Sequence, residues 1–229
     1  MMKQPFSSLT FCVFALTLTL TSVMQAQTLN KKDDQGRRHG AWKGYYEDNP
    51  EALKYEGTFD HGNEIGVFRF YKPGLENPVA LKRFSDTTDS VKVEYISQTG
   101  DIISEGHMVG RHRVGPWKYY HKNSDQLMAL EHYQEGILQG EKLTYYDSGA
   151  LAEKAFYQSG KLHGERVLYS EEGVILEHLT YRHGELHGPA RFYDATGQLE
   201  AEGNYKNNKH HGTWKYYADG KLKEEKEFE

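Results

Sequence analysis

The sequence predicts an all-β protein: an elongated antiparallel solenoid of β-hairpin repeats that forms a single twisted meander sheet of about eight repeats. The first observation is a unit of about 24 residues, clearest at Gly140–Gly164 (GEKLTYYDSGALAEKAFYQSGKLHG), which recurs at Gly164–Gly188, at Gly188–Gly212 and from Gly212 onward. The second is that each unit contains two short strands rich in aromatic and β-branched residues, separated by a turn with glycine. Strands joined by such short loops must be antiparallel neighbours, since a parallel crossover needs about a dozen residues.

Two columns of aromatic residues recur with the unit. Seven units carry tyrosine five residues after their opening glycine, namely Tyr45, Tyr71, Tyr120, Tyr145, Tyr169, Tyr193 and Tyr217. The second strands end in another column, formed by Phe59, Tyr133, Tyr157, Tyr181, Tyr205 and Phe228. Since neighbouring strands lie about 4.8 Å apart, rings of the two columns are predicted to meet across strands and to form the core of a thin sheet.

The pattern loosens between residues 72 and 110. Tyr95 lies about one period after Tyr71, so we assign it to a third unit that has lost its opening glycine. The segment Ser85–Ser90 is an insertion, which in repeat arrays falls in a loop. It is interpreted either as a binding loop or as a tolerated surface insertion. The last strand, Lys223–Glu229, carries charges that discourage further strands from adding to the sheet.

Residues 1–26 differ from all that follows. Lys3 is the only charged residue there, and the apolar run Leu9–Leu20 is followed by small residues up to Ala26. This is the pattern of a secretory signal peptide, with a retained N-terminal anchor as the alternative. We therefore predict a signal peptide at 1–26, a solvated linker at 27–38 and the repeat domain at 39–229. The exported chain would be periplasmic, outer-surface or secreted, and cleavage would remove Cys12, the one cysteine of the sequence.

The charge of the chain bears on its partners. A formal net charge of −5 offers no general basic surface of the kind that nucleic acids or anionic membranes attract. Neither nucleic acid nor a membrane is therefore an expected partner.

Twelve histidines raise the question of a metal site. The column that precedes the opening glycines comprises His39, His163, His187 and His211. Members of this column are expected about 9.6 Å apart, too far to share an ion bound at about 2 Å. The pairs His183 with His187 and His210 with His211 would make weaker sites. Ser, His and Asp occur in turns throughout, without a catalytic order, so the sequence predicts no metal, no cofactor and no catalytic residues.

The second and fourth positions after each opening glycine form a separate candidate site. By strand alternation they share one face of the sheet, opposite the tyrosine at the fifth position. The aromatic residues at these positions are Trp42, Phe68, Phe70, Trp117, Tyr119, Phe192, Trp214 and Tyr216. In the middle units the second position becomes Lys142, Arg166 and Ala190. This face is interpreted either as packing or as a partly exposed groove that holds a peptide or a sugar.

The motif resembles the MORN repeat, in particular the bacterial MORN-repeat variant. Its pattern of G-x-W-x-x-Y, a turn with glycine and a Glu-Gly-x-Tyr strand is matched closely by Gly212–Tyr217 and Glu202–Tyr205. The resemblance covers residues 39–229, with the register open at 72–110. It implies a β-hairpin repeat fold without catalytic residues. Some bacterial members, of the YwqK type, are antitoxin- or immunity-like, and others are scaffolds or dimerisation modules. Cell-wall choline- and glucan-binding repeats are also similar, but their period is shorter.

Two functions follow as hypotheses. The first is an exported, non-catalytic scaffold that binds an unidentified protein partner through an extended sheet surface, in an antitoxin- or immunity-like role. The alternative is a cell-envelope glycan-binding module that uses the aromatic face.

Overall fold

The computed structural model describes residues 29–229, which form one open antiparallel sheet of seventeen strands. The strands are β1 (Gly40–Tyr45), β2 (Leu53–Asp60), β3 (Asn63–Phe70), β4 (Ala80–Phe84), β5 (Ser90–Ile96), β6 (Ile102–Val109), β7 (His112–Tyr120), β8 (Leu127–Gln134), β9 (Ile137–Leu138), β10 (Gly140–Tyr145), β11 (Leu151–Gln158), β12 (Lys161–Tyr169), β13 (Ile175–Arg182), β14 (Glu185–Tyr193), β15 (Leu199–Lys206), β16 (Lys209–Ala218) and β17 (Lys221–Phe228). Strands pair in chain order, and β9 and β10 together form one interrupted strand beside β8. The predicted meander of eight hairpins is confirmed.

The predicted signal peptide at 1–26 lies outside the described residues. Across 29–229, none of the structure is a helix with the length and apolar character needed to span a bilayer.

Glycine has two different roles within each repeat. The turn inside a repeat places glycine at positive φ, as at Gly149 (φ 85°), where its N–H donates to the carbonyl of Tyr146. The turn between repeats contains only two residues, such as Ser159 and Gly160, both at positive φ. Such a turn matches the twist of an antiparallel hairpin.

The opening glycine lies inside a strand, at a bulge. Across β11 and β12, Ala155 pairs with Arg166 and Tyr157 pairs with Leu162. The single residue between the pairs on β11, Phe156, therefore lies opposite three residues of β12, 163–165. Gly164 lies at the centre of those three with φ of 88°, a conformation that side chains disfavour. The third repeat lacks this glycine, and β4 pairs with β5 without any shift of register. The recurring glycine therefore marks a bulge that bends the sheet once per repeat.

The structure fixes the register of the third repeat, which the sequence left open. Six other repeats shift register between the fourth and fifth positions, as between Tyr119 and Tyr120, and here the shift falls between Tyr95 and Ile96. Ile96 therefore holds the fifth position, and the ring of Tyr95 lies on the opposite face, 6.2 Å from that of Trp117. The sequence left this register open because no opening glycine marks the start of the repeat.

One face of the sheet, which we call the core face, carries the buried apolar side chains. A row of cross-strand neighbours runs along it, the core row: Trp42, Gly57, Phe68, Lys82, Val93, Gly106, Trp117, Glu131, Lys142, Ala155, Arg166, Leu179, Ala190, Gly203, Trp214 and Lys226. Phe68 and Trp117 are completely buried, and Trp214 is 1% exposed. Beside this row lies the aromatic column at the ends of the second strands, including Phe59 and Tyr205.

The tyrosines at the fifth position lie on the other face, which we call the outer face. The predicted ladder between the two aromatic columns is wrong, because residues an odd number of positions apart along a strand point to opposite faces. The fifth-position tyrosines are half-buried or exposed, and several use their hydroxyls. Tyr71 donates to Glu56 at 2.8 Å, Tyr120 to Glu105 at 2.6 Å and Tyr217 to Glu202 at 2.9 Å.

The segment predicted as a linker packs on the sheet over residues 29–38. Lys32 and Arg38 form an isolated antiparallel β-bridge within this segment. The side chain of Asn30 accepts a hydrogen bond from the backbone N–H of Lys43 at 2.8 Å and donates one to its carbonyl at 3.0 Å. The segment thereby satisfies part of the otherwise unpaired edge of β1. The opposite edge, β17, has no such cover among the described residues and is exposed along most of its length.

Candidate functional site

All eight aromatic residues of the predicted ligand face lie on the core face. Phe68, Trp117 and Trp214 are buried with no surface left for a ligand, so the packing interpretation holds for these three. Trp42, Phe70, Tyr119, Phe192 and Tyr216 are half-buried. A ligand role for these five stays a prediction.

The buried tryptophans pack on glycine. A Cβ atom at Gly106 would lie 2.4 Å from Trp117, and one at Gly203 would lie 2.3 Å from Trp214. Each indole N–H donates to the carbonyl of the residue after that glycine, at 3.0 Å to His107 and 2.9 Å to Asn204. Glycine is needed here because the ring occupies the place of its side chain.

Trp42 has no preceding repeat, and residues 29–38 take the place of one. Its indole N–H donates to the carbonyl of Lys31 at 2.9 Å, the same contact that the other tryptophans make with a preceding strand. The N-terminal segment thus acts as a partial repeat that completes the first unit.

A cationic or aromatic side chain covers each tryptophan. The guanidinium of Arg38 lies 5.0 Å from the ring of Trp42, that of Arg113 lies 4.4 Å from Trp117, and the ring of His210 lies 3.9 Å from Trp214. These residues all precede their opening glycine by two positions. Their contacts are of the cation–π and stacked kinds, and they close the surface on which a sugar ring would stack.

The outer face carries a second row of cross-strand neighbours, the outer row. Its members are Lys43, Glu56, Arg69, Leu81, Glu94, Glu105, Lys118, Leu130, Leu143, Lys154, Val167, His178, Arg191, Glu202, Lys215 and Glu225. Charges of opposite sign alternate near both ends of the row, whereas three of its four central positions are apolar, namely Leu130, Leu143 and Val167, with Lys154 between the last two.

The charged parts of the outer row are held by ion pairs. Lys92 lies beside the row and bridges Glu94 and Glu105, at 2.9 and 2.8 Å. Hydrogen bonds from Lys92 and Tyr120 lower the pKa of Glu105. Burial and the hydrogen bond to this carboxylate raise the pKa of Tyr120 to about 12. Glu105 and Lys92 therefore stay charged, and Tyr120 stays a neutral hydrogen-bond donor, over a broad pH range around neutrality, so the three form an ordered polar surface.

The centre of the outer face differs from both ends. Leu130 faces Leu143 across β8 and β10, Val167 follows two strands later, and Phe156 lies beside them with 45% of its surface exposed. We call these four residues the central patch. A concavity of about 510 Å³ adjoins it, with Glu141, Lys154, Glu165 and Tyr169 at its rim. Aliphatic and aromatic surface with charges of both signs around it is the composition of a protein contact site.

Sequence reasoning missed the central patch, although a signal for it was present. The third position after the opening glycine is Lys43, Arg69, Lys118, Arg191 or Lys215 in five of the repeats, but Leu143 and Val167 in two adjacent ones. Our attention went to the second and fourth positions, where the aromatic residues are. A change of residue class at one position of a repeat indicates the patch.

The histidines of the predicted column and pairs lie at or next to the edge formed by the turns between repeats. The predicted pairs do not form ring contacts: the ring of His183 lies 5.2 Å from that of His163, and His210 stacks on Trp214 on the core face. A third pair, His39 with His61, has ring centroids 4.6 Å apart. This pair forms because the β2–β3 turn lies beside the residue that precedes β1, across the β1–β2 hairpin.

Comparison with known protein families identifies the C-terminal repeats. Four successive segments, 138–161, 162–183, 186–207 and 211–229, match the MORN repeat variant. Their boundaries follow the hairpins from β9 to β17. A search among curated proteins finds no match to this chain.

Proposed function

Because residues 138–229 consist of four MORN repeats of the variant type, and MORN repeats commonly mediate interactions, we propose that this protein is an exported, non-catalytic scaffold. It binds a protein partner through the outer face. The observation that carries the proposal is the central patch, where the ion-paired outer row gives way to Leu130, Leu143 and Val167 beside the exposed Phe156.

The apolar surface of the central patch, where Phe156 is exposed and Leu130, Leu143 and Val167 are half-buried, supports a protein partner. A soluble protein rarely leaves an apolar cluster open without a use, and an aromatic residue at the centre of a charged rim is the usual anchor of a protein interface. Glycan binding has less support, since flat aromatic rings on the core face are covered by Arg38, Arg113 and His210.

The test places a photoreactive amino acid at position 156 and, as a matched control, at Leu222. Leu222 has a similar exposure, 49%, but lies in the last hairpin. After irradiation in cell-envelope extract, we expect a crosslinked protein at position 156 and none at 222. Against the purified partner, Phe156→Glu should weaken binding by tenfold or more, about 1.4 kcal/mol, while Leu222→Glu should leave it unchanged.

Two outcomes would contradict the proposal. Equal affinity of Phe156→Glu and the unchanged protein would remove the central patch from the interface. Binding of isolated envelope glycan, lost on Trp42→Ala in a chain that keeps its fold, would favour the glycan alternative instead.

Export and the class of partner are narrower parts of the proposal. Export is supported by the pattern of residues 1–26, and N-terminal sequencing should find a mature chain that begins near Gln27. A full-length chain confined to the cytosol would contradict it. The resemblance to the YwqK type supports a toxin as the partner. In that case the crosslinked protein should arrest growth when expressed alone and not when expressed with this chain.

A further inference from the structure

Three side chains come together near the start of the first repeat, on the edge of the sheet that the turns between repeats form. His39 directly precedes β1, Asp60 ends β2, and His61 is the first residue of the β2–β3 turn, with φ of 46°. Each offers one potential ligand atom, and the three atoms lie within 4.8 Å of one another. Nδ1 of His39 lies 3.5 Å and Nε2 of His61 lies 3.8 Å from Oδ1 of Asp60.

These separations fit a metal ion. Zinc binds imidazole nitrogen at about 2.0–2.1 Å and carboxylate oxygen at about 2.0–2.2 Å in a tetrahedral arrangement, which puts neighbouring ligand atoms about 3.4 Å apart. All three side chains are exposed. A fourth position would be left for water or for a group of the partner.

A second carboxylate orients one of the histidines. Oδ2 of Asp33 lies 2.7 Å from Nδ1 of His61 and accepts a hydrogen bond from Nε of Arg37 at 2.8 Å. Arg37 also lies 3.0 Å from the same ring nitrogen. In the tautomer that donates Nδ1–H to Asp33, His61 presents the lone pair of Nε2 toward Asp60, whereas the other tautomer accepts at Nδ1 from Arg37. A carboxylate behind a histidine in this way is the usual support of a metal-binding imidazole.

The sixth repeat contains the same histidine pair without the acidic residue. His163 and His183 occupy the places of His39 and His61, while Arg182 stands where Asp60 is. In both pairs the backbone N–H of the turn histidine donates to Nδ1 of the other, at 3.4 and 3.5 Å. Both distances are long for a hydrogen bond, so a metal ion bound at Nδ1 would displace only a weak contact. The cationic guanidinium of Arg182 makes the second pair unsuitable for a cation.

We propose that His39, Asp60 and His61 bind a divalent transition metal of the zinc class. Two imidazoles and a carboxylate suit zinc, copper or nickel better than calcium or magnesium. The ion would connect the start of β1 to the β2–β3 turn, and through Asp33 it would also hold the N-terminal segment that completes the first repeat. It would thereby stabilise the end of the sheet remote from the matched MORN repeats.

The experiment is isothermal titration of the full mature chain, without an affinity tag, with zinc chloride, followed by thermal unfolding with and without zinc. We expect one saturable equivalent and a higher unfolding temperature in zinc, because a ligand that binds only the folded state stabilises it. Asp60→Arg, which copies the sixth repeat, should abolish both effects. Asp33→Asn should retain the stoichiometry and weaken zinc binding about tenfold.

The matched control is His183→Ala, which should bind zinc as the unchanged protein does. Circular dichroism spectra should agree among all variants, since the substituted side chains are on the surface. The proposal is overturned if the unchanged protein shows no saturable binding, or if Asp60→Arg binds as tightly as the unchanged protein.

Discussion

The core row is filled differently in the fourth and eighth repeats and in the middle units between them, the fifth to the seventh repeats. In the fourth and eighth repeats a tryptophan lies over a glycine, as Trp117 does over Gly106. In the middle, Lys142 pairs with Glu131 at 3.1 Å, and Arg166 lies between Glu153 and Glu177, at 2.7 and 2.9 Å. In the seventh repeat the small residue is Ala190 and the large one is Leu179.

The difference teaches that the pair, and not the single position, is what the fold requires. A residue at the second position of one repeat and its neighbour on the preceding strand share one volume. That volume is filled by Trp with Gly, by Ala with Leu, or by Lys with Glu. The residue two positions before the opening glycine changes with them: it is Arg38, Arg113 or His210 over tryptophan, and Leu138, Leu162 or Leu186 in the middle units.

The largest expected effect comes from replacing the Trp214–Gly203 pair with a pair of the Ala190–Leu179 type. Trp214→Ala alone should lower the free energy of unfolding by about 3–5 kcal/mol, since it empties a buried site. Gly203→Leu alone should cost about 1–3 kcal/mol or more, because the new side chain meets Trp214. The double variant copies Leu179 with Ala190, so it should cost less than the sum, with a coupling of about 1–3 kcal/mol. Denaturant unfolding of the four chains measures this coupling.

Additive effects of the two substitutions would contradict the conclusion that the pair is what the fold requires, because each position would then act alone. The reverse exchange provides a check on the interpretation. Leu179→Gly with Ala190→Trp, made together, should be better tolerated than Ala190→Trp by itself.

An intermediate effect is expected for the charged middle pair. Burial disfavours ionisation of Glu131, but hydrogen bonds from Tyr133 and Lys142 outweigh it and lower the pKa of this carboxyl. Its ionised form therefore stabilises the fold above the unfolded pKa of about 4.3, and that contribution is lost as pH falls through the folded value. Glu131→Gln should lower the free energy of unfolding by about 1–3 kcal/mol at pH 7, with the difference shrinking in acid.

Urea unfolding across that pH range measures the effect. The control is Glu225→Gln in the exposed pair with Lys215 at 3.9 Å, which should change stability by less than about 0.5 kcal/mol. A difference for Glu131→Gln that stays constant from pH 7 to pH 3 would contradict the assigned role of its charge.

The smallest effect is expected for the cover over the tryptophan. His210→Leu replaces the ring stacked on Trp214 with the residue that the preceding repeat has at Leu186, so the apolar cover is kept. The loss should stay within about 1 kcal/mol, the size of one aromatic contact. A much larger loss in denaturant unfolding would show that the His210 bond to the Tyr205 hydroxyl, at 3.1 Å, matters more than packing.

Repetition made most of the fold predictable. The hairpins, their antiparallel order and the turns with glycine followed from the period, and the inserted loop at 85–90 fell between β4 and β5. The role of the opening glycine was less accessible, since a bulge and a turn both require positive φ. The register of the third repeat stayed open in the sequence because its opening glycine is absent and Tyr95 was the only marker left.

The candidate surfaces were predictable only in part. Strand alternation correctly placed the eight aromatic residues on one face, but it does not say which face of a single sheet becomes the core. Burial of Trp117 depends on Gly106 beneath it and Arg113 above it, which come from another strand and another position. The histidine cluster also joins residues that one repeat does not bring together, since Asp33 reaches His61 from the N-terminal segment.

The amino-acid sequence alone determined that eight copies of one hairpin pair in chain order, because short loops leave antiparallel pairing as the only arrangement. Tertiary structure decided which face is buried, how each shared volume of the core row is filled, and where the outer row turns apolar. Those properties depend on contacts between neighbouring repeats, and the period of the sequence specifies that such contacts exist without specifying which atoms fill them.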